Sequence, residues 1–139
     1  MKDLRKKLEE QLTSFEAACK MYDVPADKAV PAFEFFPERD RVAMQKLSEL
    51  VLIIRAANKI ANNGEEWLPT FNDGKWKSVP WFKMKGPGGS GGFRFNDFGN
   101  WNSFSFVGSR LCFLNDTVGE YVVEKFHENY KAFFVVDKK

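Results

Sequence analysis

Residues 72–85 read NDGKWKSVPWFKMK, and here the chain changes its structural period. Asn72-Asp73-Gly74 is a turn signal, because Asn and Asp bond their own backbone and Gly tolerates positive φ. Polar and apolar residues then alternate, which predicts a β-strand over 76–85. Upstream the spacing is helical. Ala43, Leu47, Leu50, Ile54, Ala57 and Ala61 recur every three or four residues, widened by Val51, Ile53 and Ile60. This predicts one long helix over 37–62, with Pro37 as its first residue and Gly64 as its stop. So apolar a middle requires cover on more than one side.

Outward from this boundary, residues 93–98, 102–107 and 110–114 read as three further strands, joined by connections short enough for antiparallel pairing. Pro80 argues for an edge strand or a bulge in the first of them. Residues 86–92, GPGGSGG, read as a flexible hairpin loop; Phe93-Arg94 and a strand follow where a phosphate cradle needs Lys-Ser/Thr and a helix. The last helix opens at Asn115, Asp116 or Thr117 and buries Val118, Tyr121, Val122, Phe126, Tyr130 and Phe133. At the other end, Leu4, Leu8 and Leu12 predict a helix over 2–12. Thr13 with Glu16 forms a capping box for a second helix to Met21. Phe33, Phe35 and Phe36 are expected to anchor the 24–36 connector. The order predicts an α+β fold: N-terminal helices including one long apolar central helix, a three- to four-stranded antiparallel sheet, and a C-terminal helix packed on that sheet. The 139 residues make one domain, with 1–36 as peripheral helices and connector and 37–135 as an α-β-β-β-β-α core.

Charge is distributed unevenly. Residues 75–114 hold six basic side chains against the single acid Asp97, although the whole chain is only +2. The same stretch holds ten of the 22 aromatic residues, so basic and aromatic excess coincide. Strand alternation puts Lys75, Lys77, Val79, Trp81, Lys83 and Lys85 on one face. Phe82, Met84, Phe93, Phe95, Phe104 and Phe106 point to the other, against the central and last helices.

The candidate ligand-binding residues are therefore Lys75, Lys77, Trp81, Lys83, Lys85, Arg94, Trp101 and Arg110. Basic side chains neutralise phosphates while exposed aromatics stack bases, which points to single-stranded nucleic acid. The same side chains also suit a protein partner or self-association, since aromatics and Arg concentrate in interface centres. A plain structural reading competes with both: the Phe residues are core, and Lys on an edge strand prevents aggregation.

Catalytic chemistry has little support. One His excludes a His-based metal cluster, and no cofactor, metal or catalytic residue is expected. Cys112 could pair with His127 only if the fold joined them, and no carboxylate spacing singles out an acid–base pair. Cys19 and Cys112 lack CxxC spacing and read as small buried hydrophobes. A charged first helix in place of an apolar leader, and no apolar run of membrane length, lead to the expectation of a cytoplasmic, non-enzymatic chain with no membrane partner.

Two likenesses differ in value. Residues 92–98, GFRFNDF, echo the aromatic skeleton of the RNP1 strand of RNA-recognition motifs. That domain interleaves helices with its strands, and none is predicted between 76 and 114, so the echo reads as coincidence. Broader is the combination of Pro80-Trp81-Phe82, the run 108–113 (GSRLCF), and Glu120, Tyr121, Phe126, Tyr130 and Phe133 on the last helix. It resembles a family of small uncharacterised proteins encoded by gut Bacteroidetes and their phages and prophages. The resemblance covers roughly residues 40–135 and implies a mobile-element context, with no activity attached.

Overall fold

The computed structural model describes residues 2–103, 105 and 107–136. The fold is α+β, and α3 (Glu38–Ala61) is its axis: α1 (Lys2–Gln11), α2 (Phe15–Met21), α4 (Asp116–Lys125) and α5 (His127–Phe134) all pack against it. This explains why Leu50, Ile53, Ile54, Ala56, Ala57 and Ile60 are buried around the helix rather than along one stripe. Pro37 precedes α3 at φ −50°, ψ 137°, one residue outside the helix it was expected to begin. Gly64, at φ +86°, donates its N–H to Lys59 O (2.9 Å) and stops the helix as expected.

The cap of α2 is Ser14, not Thr13: Ser14 Oγ accepts from Ala17 N at 3.1 Å. Asn115 caps α4 in the same way, accepting from Val118 N at 3.0 Å. The single C-terminal helix expected from the sequence is two, broken at Phe126 (φ −116°, ψ 33°). The break separates two tasks. Tyr121 on α4 donates its hydroxyl to Leu12 O at 2.5 Å, and Tyr130 and Phe134 on α5 turn their rings onto Phe82. In the connector, Phe35 is fully exposed and Phe36 is exposed too, so only Phe33 stays half-buried; Phe33 and Phe36 meet edge to face at 5.2 Å.

Among the described residues the sheet has two antiparallel strands, β1 (Lys77–Lys83) and β2 (Arg94–Trp101), rather than three or four. Lys77 lies opposite Trp101 and Trp81 opposite Asp97. A bulge between Trp81 and Phe82 then shifts the register, so that Phe82 faces Phe95 and Lys83 faces Arg94. The bulge falls one residue beyond Pro80, where a missing backbone donor already weakens the ladder.

The other predicted strands give way to side-chain hydrogen bonding. Ser105 Oγ accepts from Val107 N (3.1 Å) and Gly108 N (2.8 Å), closing a local turn in place of a ladder. Phe104 and Phe106, expected to point inward from that strand, lie outside the described residues. Of the strand predicted over 110–114 only a bridge survives, Ser78 exchanging both backbone bonds with Phe113 (2.9 and 2.8 Å). Asn58 on α3 does the rest: its amide donates to Cys112 O and its Oδ1 accepts from Leu114 N, each at 3.0 Å. The glycine loop is likewise tied down, by a 3-10 turn at Pro87–Gly89 and by Val136 N donating to Gly88 O at 2.9 Å.

Candidate functional site

The hairpin places three cations at its loop end. Lys83 and Arg94 stand directly opposite each other across the strands, both exposed, and exposed Lys85 follows two residues on. Like charges facing each other across a sheet destabilise it. Among the described residues none of the three has an ion-pair partner. With Gly91 and Gly92 they border a shallow depression whose potential favours an anion.

One pleat repeat from Lys83, about 7 Å along the strand, Trp81 is 52% exposed. Its ring lies 6.5 Å from Trp101, tilted by 44°. Gly99 makes room for it, because a Cβ there would stand 2.6 Å from the indole Nε1. An aromatic surface next to unpaired cations is what a base and its phosphate each require.

The predicted set is only partly assembled. Lys77 belongs to the interior: it is 3% exposed, its ammonium donates to Asp73 Oδ1 (2.7 Å) and Lys75 O (2.8 Å), and the Phe71 ring lies 5.1 Å away. Alternation failed here because the first half of β1 is covered on both faces, leaving Lys77 through Pro80 buried in succession. Lys75 is exposed but lies at the far end of the strand, and Arg110 is exposed in the turn before Cys112. Met84, expected inside, is 44% exposed. Phe82 and Phe93 do go inward and stack at 4.7 Å, with Phe95 half-buried beside them.

Cys112 and His127 have separate surroundings. The Cys112 thiol donates to Ser109 O at 3.6 Å, and burial pushes its pKa up to about 11, so it is protonated at neutral pH. The His127 ring packs 5.4 Å from Phe93 and 6.4 Å from Phe82. Among the described residues no group of three or more His, Cys, Asp or Glu is arranged to hold a metal ion, and no helix is long and apolar enough to cross a membrane.

Sequence reasoning missed a cavity of about 400 Å³ behind Trp81, bounded by β1, α3 and α5. Its walls include Leu47 and Phe133, which the sequence marks only as ordinary stripe positions. In comparisons with known proteins, the chain matches no family model, no curated protein and no solved structure.

Proposed function

We propose that this chain is a non-enzymatic binding module that takes single-stranded nucleic acid on the loop end of its hairpin. A phage or mobile-element origin is proposed on the motif resemblance alone. The observation that carries the reading is the unpaired Lys83–Arg94 cross-strand pair, with Lys85 following, one pleat from half-exposed Trp81. A fold gains nothing in stability from opposed cations, whereas a phosphate between them relieves their repulsion.

The test is a titration of labelled single-stranded DNA and RNA oligonucleotides. If the three cations each contact one phosphate, affinity falls with a log–log salt slope of about −2, or roughly twentyfold between about 50 and about 200 mM salt. Trp81→Ala weakens binding by about tenfold through lost stacking. No binding at low salt, or binding indifferent to salt, rejects the proposal.

A second reading is an assembly or protein-interaction role. It is favoured by apolar side chains exposed outside the two strands, notably Leu68 (83%) and Trp76 (62%). Sedimentation distinguishes the two readings: a stable oligomer that Trp76→Ser dissociates supports assembly, and a monomer at all concentrations counts against self-association.

A further inference from the structure

We propose that the cavity behind Trp81 is a second binding site, for an uncharged aromatic or aliphatic small molecule. Leu47 and Leu50 on α3, Val79 and Trp81 on β1, Trp101 on β2 and Phe133 on α5 contribute to its walls. Among the described residues no Asp, Glu, Lys, Arg or His lines it, so the charge of a ligand seated there would lose hydration with no countercharge in return. This site is therefore distinct in chemistry from the cationic hairpin end.

Size sets the ligand. A 150 Å³ apolar cavity accommodates benzene, so by proportion about 400 Å³ takes roughly 16 heavy atoms. The pocket is partly open to solvent, so a ligand of this size can enter without the walls parting.

An added peptide strand is the competing occupant, and β1 is poorly built for it. Ser78 already exchanges both backbone bonds with Phe113, and Pro80, next in that hydrogen-bonding direction, has no N–H to offer. A strand docking here would lose its main-chain ladder, while a small molecule needs none.

The experiment uses the full chain and N-phenyl-1-naphthylamine, a neutral probe of the required size whose emission rises in apolar surroundings. The expected result is saturable binding at one site per chain, unaffected by salt. Leu47→Trp and Val107→Trp each fill part of the cavity, and each folded variant weakens binding by about tenfold or more through overpacking of the site. On the unaltered chain, 1-decanol displaces the probe at concentrations about tenfold below those needed for decanoate, because the carboxylate must be desolvated. Non-saturable uptake, equal affinity in the folded variants, or equal competition by decanol and decanoate overturns the proposal.

Discussion

The Trp81 indole rests directly against Gly99, two residues beyond the position opposite it on β2, so close that a Cβ on Gly99 would stand 2.6 Å from its Nε1. Glycine in a strand interior usually weakens it, and here it supplies the seat that holds an exposed tryptophan in place. Gly99→Ala is expected to displace the ring, shift tryptophan emission and cost about 1–2 kcal/mol, the lower part of the range for overpacking. Fluorescence and urea unfolding measure both. An unchanged emission spectrum would mean the ring is not held there.

Gly119→Ala inverts a familiar rule. Alanine in a helix interior is ordinarily favoured over glycine by about 1 kcal/mol. In α4 the added methyl would lie 2.6 Å from Phe98 Cε1 and 3.1 Å from Phe113 Cδ2. Since both rings are packed between the hairpin and α4, the variant should lose about 1–3 kcal/mol in chemical denaturation. A gain would show that Phe98 can move aside at no expense.

Asn58→Leu preserves approximate shape on α3 but removes the donor to Cys112 O and the acceptor for Leu114 N. Asn58 is 4% exposed, so water does not readily replace the lost bonds. Two stranded backbone groups predict a loss of about 2–4 kcal/mol in the urea-unfolding free energy. Amide exchange at Leu114 should accelerate in the variant, and unaltered protection there would refute the role of the Asn58 hydrogen bond.

Lys77 and Asp73 should respond unequally to substitution. Asp73→Asn leaves a buried ammonium without its counter-charge, while Lys77→Met keeps an apolar stem and leaves a carboxylate that still accepts from Lys75 N. The melting temperature of the Asn variant should therefore be the lower at neutral pH. The Lys77 hydrogen bond, assisted by the Lys75 N–H, lowers the Asp73 pKa. Stabilisation from a depressed carboxylate is present above its unfolded pKa and lost as pH falls through the folded one. The gap between wild type and Asp73→Asn should accordingly narrow in acid. A gap constant from neutral pH into that range would contradict the pairing.

The helices were legible because an amphipathic period needs no knowledge of the partner: Leu50, Ile54 and Ala57 are buried whichever element covers them. The start of β1 was legible for a similar local reason, since Asn72 (φ +65°) and Gly74 (φ +79°), in the turn before it, adopt the conformations their residue types favour. Lys77 was misread because strand alternation assumes one open face, and nothing local announces that Asp73 and Phe71 fold back over it. The predicted strand over 110–114 failed for the opposite reason. The bonds on either side of Phe113, at Cys112 O and Leu114 N, are taken by Asn58, 54 residues away from Cys112 in sequence, and no period records such a partner.

By itself, then, the sequence determined the α+β order, the long central helix, the hairpin and the concentration of basic and aromatic residues in one stretch, because each depends on contacts within a few residues. Tertiary structure alone decided which of those residues meet. It buried Lys77, set Lys83 against Arg94 through a bulge, seated Trp81 on Gly99 and opened a cavity behind it. Those outcomes depend on register and on packing between distant elements, where a shift of one residue exchanges inside for outside.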